Sequence, residues 1–274
     1  MQCDGQKRML EVSELSFGYG ERNNLECIDL HVNPGEFVAL MGPNGSGKTT
    51  MMRCINKILK IRSGNVKVDD VDILRLPMAE IAKICTTVPA DAPLDFSLTV
   101  REFVSLGRTP FITSGWWEKK EDNDIIDRAM WDLGITRYAD RRLHELSSGE
   151  RARVLLAKGV VQTPKVILVD EPSAHLDIKY KVQVMEILKD LSKKGLSILI
   201  ASHDINLLTR FCDRIVLLSK GRIVASGTAE EVVTKESIKE VFDIEVEIVT
   251  MNDTVYVLPT GSVMKGEMDA DVTR

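Results

Sequence analysis

The chain has 274 residues, 44% of them hydrophobic and 28% charged, with a formal net charge of −5. That size and composition exclude an intrinsically disordered chain and suit one large α/β domain with an insertion, or two domains. The acidic balance weighs against nucleic acid as the main partner. Five cysteines, Cys3, Cys27, Cys54, Cys85 and Cys212, stand singly without a C-x-x-C pair. This argues against a metal framework and fits a reducing compartment, with the cysteines as small buried residues. No apolar run reaches the roughly 20 residues of a membrane helix, and the start MQCDGQKRM is too polar for a signal peptide. A soluble cytoplasmic protein, able to dock on a membrane protein, is the expectation.

In chain order, MLEVSELSFGYG alternates apolar and polar residues and reads as an edge strand and turn. NLECIDLHV alternates again, and NPGE is a turn before a further strand; these three strands read as a small antiparallel sheet. FVALM is a continuous apolar run, as in a strand buried on both faces. GPNGSGKTT and the helical pattern MMRCINKIL follow, then a turn and short strand in RSGNVKVDD, and a short helix feeding a strand in AEIAKI and CTTVP. After Pro89 the texture becomes helical. LTVREFVSLG sets Val100, Phe103, Val104 and Gly107 on one side, and IIDRAMWDLG and SSGERARVLLAKGVVQ are further helices. VILVD resumes the core as a buried strand, then an amphipathic helix ends at Gly195 and SILIAS is a strand. INLLTRFC is a helix, RIVLLSKGRIVASG a hairpin with Lys220-Gly221 at its tip, and VEIVTMNDTVYVLP one more hairpin.

GPNGSGKT, residues 42–49, fits G-x-x-x-x-G-K-[ST] between a buried strand and a helix. Gly42, Pro43, Asn44, Gly45, Ser46 and Gly47 form a loop whose N–H groups turn inward on phosphate oxygens, and the helix adds its positive end. Lys48 is placed to reach the β- and γ-phosphates and Thr49 to ligate Mg²⁺, with Thr50 following in the same turn. KVILVDEP, residues 165–172, carries two acids to the end of a strand, where ligands collect in α/β sheets. Asp170 would hold Mg²⁺ through water and Glu171 would polarise an attacking water; taken alone, the two acids also read as a helix N-cap pair. HELSSGERARV, residues 144–154, is a second candidate anion site and equally a capping box, Ser147 with Glu150. No N-K-x-D pattern for guanine is present.

Together these motifs resemble the nucleotide-binding subunit of an ABC transporter over residues 10–242. Leu146-Ser147-Ser148-Gly149-Glu150 is similar to the family signature, Ser173-Ala174-His175-Leu176-Asp177 to the D-loop, and His203 in ASHD to the switch histidine. Tyr19 sits where the family stacks adenine. The resemblance implies a P-loop NTPase core with an antiparallel β subdomain and a helical insertion. The boundaries are residues 9–242, with core 9–89 and 163–242 and helical part about 90–162, then a C-terminal hairpin and tail, 243–274. It implies ATP and Mg²⁺, an ATPase, and a twofold dimer in which Ser147, Ser148, Gly149 and Glu150 meet ATP held by the other copy. Asp177 would serve at that interface and also as a helix N-cap. It implies multispan permease partners on the cytoplasmic face of the membrane and, indirectly, a substrate-binding protein. A soluble ABC ATPase without a transporter and a weakly hydrolysing binding module are the alternatives.

Two departures stand out. The family carries a glutamine where this chain has Ala90; Asp91 is the nearest polar substitute. Ser148 replaces the usual glycine, a strain if its φ is positive. LGRTP, residues 106–110, resembles subunits serving iron–siderophore, haem and cobalamin importers, and reads locally as a helix C-cap at Gly107 with a proline stop. Phe111, Trp116 and Trp117 either face the membrane partner or pack beneath the insertion.

Overall fold

The computed structural model describes residues 7–20, 22–90, 97–112, 120–172 and 176–262. The first half holds β1 (Leu10–Tyr19), β2 (Arg22–Val32), β3 (Phe37–Met41), α1 (Lys48–Ile55), β4 (Ser63–Val68), β5 (Val71–Asp72), α2 (Met78–Ile84) and β6 (Cys85–Val88). Helices follow: α3 (Val100–Ser105), α4 (Lys120–Asp132) and α5 (Ser148–Val160). The rest comprises β7 (Val166–Asp170), α6 (Ile178–Lys193), β8 (Ser197–Ser202), α7 (Ile205–Phe211), β9 (Arg214–Ser219) and β10 (Arg222–Gly227). The described chain closes with α8 (Ala229–Val232), α9 (Lys235–Phe242), β11 (Ile244–Met251) and β12 (Thr254–Ser262).

The central sheet runs β10-β9-β3-β8-β7-β6, parallel except for β10. β3, β7 and β8 are buried at every position, which is why they read as unbroken apolar runs. Their side chains alternate between two cores. Val38, Leu40, Leu168 and Leu199 pack with Met51, Met52 and Ile55 of α1 and with Leu15, Phe17 and Ile28 of the antiparallel sheet. Phe37, Ala39, Ile167 and Ile200 face the opposite cluster, which holds Val154, Val184 and Leu208 from α5, α6 and α7.

The antiparallel sheet is β2-β1-β4-β5. The sequence reading assigned its third strand to the one after NPGE. That strand is FVALM itself, which enters the parallel sheet between β8 and β9; the third antiparallel strand is β4, within RSGNVKVDD. An apolar strand needs cover on both faces, and only the central sheet offers it.

Register then fixes where chemistry gathers. Met41 pairs with Ser202, and Asp170 with Ala201, so the residues following β3, β7 and β8 leave the sheet at one edge. The β9–β10 hairpin turns through Lys220 (φ 47°) and Gly221 (φ 77°), both left-handed as a two-residue type I′ turn requires. Its tip is not free: Gly221 N–H donates to Ser46 O at 3.0 Å, and Glu26 N–H donates to Gly221 O at 2.9 Å. The terminal hairpin turns the same way, through Asn252 and Asp253.

Between β6 and β7 every regular element among the described residues is helical, apart from the isolated bridge Thr99–Arg142. LGRTP is not a left-handed helix end. α3 tightens into a 3₁₀ segment, Leu106–Phe111, that includes Pro110, and Gly107 keeps an ordinary backbone. Gly107 is needed for contact: a Cβ there would meet Val161 Cγ1 at 2.3 Å and Lys158 O at 2.4 Å on α5 and its end. Arg108 is buried beside it. Its Nε donates to Asp122 Oδ1 at 2.8 Å, its Nη1 to Val161 O at 3.0 Å, and its guanidinium lies over Phe111, 3.8 Å from the ring centroid. Phe111 is half-buried against the Arg108 guanidinium, which leaves both readings of it open; Trp116 and Trp117 lie outside the described residues. Gly107→Ala is expected to cost about 1–3 kcal/mol through overpacking against a backbone carbonyl. A thermal or denaturant melt compared with the unmutated protein measures it, and an unchanged midpoint would show that α5 yields freely.

Candidate functional site

Residues 42–47 leave β3 and wrap back over the first turn of α1. Gly47 is its N-cap residue, with φ 111° and no side-chain cap, so the helix opens directly toward the loop. Lys48 is buried. Its Nζ donates to Gly42 O at 2.9 Å and Pro43 O at 3.2 Å and lies 3.7 Å from Glu171 Oε1. Burial lowers the ammonium's pKa, against the pull of Glu171 and Asp170. Inside the loop, the buried Ser46 hydroxyl has no hydrogen-bond partner among the described residues. An orphaned donor in a loop of inward-facing amides suits an anionic oxygen.

Asp170 ends β7 and is buried. Thr49 Oγ1 donates to its Oδ1 at 3.1 Å. Burial raises the Asp170 pKa; the Thr49 hydrogen bond opposes this, while the Glu171 charge reinforces it. The pair caps no helix among the described residues: Glu171 and Pro172, which follow Asp170, are not helical. Glu171 has φ 45°, a left-handed backbone that a side-chain-bearing residue adopts at a cost. Its N–H still donates to Ala201 O at 2.9 Å, which pins the residue to the sheet while its carboxylate turns outward. His203 Nδ1 stands 2.9 Å from Glu171 Oε2, a contact that puts the ring proton on Nδ1 when the carboxylate is ionised.

An open cleft of about 560 Å³ joins these groups, lined by Asn44, Gly45, Gly47, Lys48, Thr49 and Thr50 on one side and Ala90, Glu171 and His203 on the other. Ala90 thus occupies the wall with only a methyl group. Asp91 lies outside the described residues, as do Ser173, Ala174 and His175. The sequence reading missed Asn24, which also lines the cleft and whose Oδ1 accepts from Tyr19 N–H at 3.1 Å. Nothing in the alternation of β2 marks it. Tyr19 ends β1, half-exposed, with its ring edge-on to Phe17 at 4.8 Å between centroids.

The segment Ser147, Ser148, Gly149 and Glu150 lies outside that cleft. It forms the capping box read from the sequence: Ser147 Oγ accepts from Glu150 N–H at 3.4 Å, and Glu150 Oε2 accepts from Ser147 N–H at 2.9 Å. The N–H groups of Ser148 and Gly149 begin α5, where the helix has no acceptor for them. The strain anticipated at Ser148 is absent. The residue is exposed at the first helical position, and its φ is not positive. Gly149 is the constrained member: a Cβ there would meet the Tyr180 ring of α6 at 2.4 Å. Asp177 occupies the N-cap position of α6, but its side chain makes no capping hydrogen bond. Three residues past the start of that helix, Lys181 Nζ is 3.2 Å from Asp204 Oδ2, next to His203. This ion pair was not read from the sequence, since only the fold brings α6 and α7 together.

Residues 25–174 match the family described as ABC transporter. The chain is 37% identical to an uncharacterised ABC transporter ATP-binding protein of Methanocaldococcus jannaschii, covering 92% of this chain and 98% of that one. It is 35% identical to the iron(3+)-hydroxamate import ATP-binding protein of Bacillus subtilis, over 88% of this chain and 90% of that one. Among solved structures, cbiO1 of Clostridium perfringens, described as part of the ABC transporter complex cbiONQ, superposes with a TM-score of 0.75 at 30% identity, covering 86% and 94% of the two chains.

Because the Tyr180 ring occupies the space beside Gly149, Gly149→Ala is expected to destabilise the fold by about 1–3 kcal/mol. The same substitution in a Tyr180→Ala background should cost clearly less. Melting curves of the two single variants and the double variant measure the coupling; simple additivity would refute the ring contact as the reason for glycine.

Proposed function

The chain belongs to the ABC transporter family, and we propose that it is the ATP-hydrolysing subunit powering a membrane importer of the iron–siderophore, haem or cobalamin group. The observation that carries this reading is one cleft lined by Lys48, Thr49, Glu171 and His203, with Asp170 hydrogen-bonded to Thr49 at its wall. Residues 42–50 wrap the triphosphate of ATP. Lys48 exchanges its loop carbonyls for β- and γ-phosphate oxygens, and the Ser46 hydroxyl finds an acceptor. Tyr19 stacks on adenine, giving affinity with little choice of base. Thr49 Oγ1 and Asp170 Oδ1, 3.1 Å apart, are hard oxygen donors of the kind that suit Mg²⁺, so these two residues would hold it, Asp170 through water. Bound there, Mg²⁺ supplies charge neutralisation on the phosphates.

Glu171 takes the proton of the attacking water, whose oxygen bonds to the γ-phosphorus as the bond to the β–γ bridging oxygen breaks. ADP leaves with that electron pair. His203, fixed through Nδ1 on Glu171, keeps Nε2 for the γ-phosphate. Ser147, Ser148, Gly149 and Glu150, away from their own chain's cleft, complete the cleft of a second copy, with Asp177 at the seam. ATP then favours the closed dimer, and hydrolysis removes the phosphate that both copies hold. The partners are this second copy, a multispan permease and, indirectly, a substrate-binding protein. Among the described residues no helix is long and apolar enough to cross a membrane; the subunit is placed on the cytoplasmic face through its permease partner. The cargo class is supported by LGRTP and by the relative named for iron(3+)-hydroxamate import.

Glu171→Gln is expected to lower ATP turnover by about 100-fold or more and to leave an ATP-bound dimer on size exclusion with ATP and Mg²⁺. A variant that stays monomeric under those conditions would sink the shared-site reading. Ala90→Gln restores an amide to the cleft wall and is expected to raise ATPase activity or its stimulation by the permease. If neither rate moves in reconstituted vesicles, the missing amide is unimportant.

A further inference from the structure

We propose that Asn206 is a positioning residue that ties the C-terminal hairpin to the turn carrying His203. The inference rests on the reading of Glu171 and His203 given above. β11 and β12 form a separate two-stranded sheet whose inner face, Val246, Val255 and Val257, joins the core that contains Leu208 of α7. Apolar contact of this kind fixes how deeply the hairpin sits, but it is non-directional and leaves the position along α7 open. The Asn206 amide closes that freedom. Its Oδ1 accepts from Val257 N–H at 2.8 Å, and its Nδ2 donates to Val257 O at 3.1 Å. One side chain thereby satisfies both backbone groups of a strand residue, as a neighbouring strand would.

α7 needs such a seat. It has seven residues, too few to be stable by itself, and its N-cap residue Asp204 makes no capping hydrogen bond. The Asp204 carboxylate is turned instead to Lys181 on α6. The start of α7 is therefore held from outside on two sides, by α6 through Lys181 and by β12 through Asn206. His203 lies three residues before Asn206, within one helical turn, and its ring must stay 2.9 Å from Glu171. The hairpin thus helps set the placement of the histidine without touching the cleft.

The test uses the full chain with Asn206→Ala, Asn206→Leu and Val257→Pro. The proline variant removes the N–H that faces Asn206, at an edge where proline is tolerated, but also the buried valine side chain; Val257→Ala, which trims that side chain and keeps the N–H, is its control. Steady-state ATPase, binding of a fluorescent ATP analogue and thermal melting are read together. The expected result is a kcat lowered about three- to thirtyfold, with KM and analogue affinity within about twofold of the unmutated protein. An unchanged kcat overturns the proposal. So does a parallel loss of kcat, affinity and stability, which marks a contact serving the fold alone. If the Asn206 variants do not fold, Val257→Pro decides by the same split. Glu171→Gln separates the two layers of argument. If it retains turnover, the site reading fails; if it abolishes turnover while Asn206→Ala leaves kcat intact, only the present inference fails.

Discussion

The structure depends on one carboxylate. Glu171 is held by its backbone to Ala201, and its two oxygens face Lys48 and His203. Those three contacts bind together the exits of β3, β7 and β8, which the parallel register already brings to a single edge. The left-handed backbone of Glu171 is the cost of turning the side chain outward while its N–H stays in the ladder, a strain tolerated because the sheet over-determines the position. Around it, burial pushes Lys48 toward neutrality and Asp170 toward protonation. A site that keeps charged groups in such surroundings is poised for a ligand that supplies the missing countercharges, and a triphosphate with a divalent cation does so.

The helices on one side of the sheet are packed onto one another. α5 starts at the signature turn and packs so tightly on α6 that only glycine fits against Tyr180. α6 starts at Asp177 and reaches Asp204 through Lys181. The elements that carry the proposed second anion site, dimer seam and switch histidine are thus consecutive members of one packed layer.

What the sequence disclosed, and what it did not, divides along the range of the interactions. The phosphate loop, the acids after VILVD, the capping box at Ser147 and both terminal-half hairpins were legible because each is set by a few adjacent residues. FVALM was misassigned to the antiparallel sheet because alternation in its neighbours says nothing about which sheet a buried strand enters. The strain considered at Ser148 is absent because the residue opens α5 without a positive φ, which the local sequence alone does not fix. Gly107 and Gly149 were visible as glycines, but the carbonyl and the ring that demand them come from other helices. Asn24, Lys181 and Asn206 carried no local signal, since each acts on a partner that only the tertiary fold supplies.

The tip of the β9–β10 hairpin limits how the surface of this chain can change. Lys220-Gly221 has the composition of a surface turn, the kind of place where loops usually lengthen without penalty. Here Gly221 lies against the backbone of Asn24, with room for no side chain, and its N–H supports the carbonyl of Ser46 inside the phosphate loop. The edge strand of the sheet therefore acts as a strut under the loop of residues 42–47. A residue inserted into this turn would displace the support of Ser46, so its length is tied to the shape of the phosphate loop.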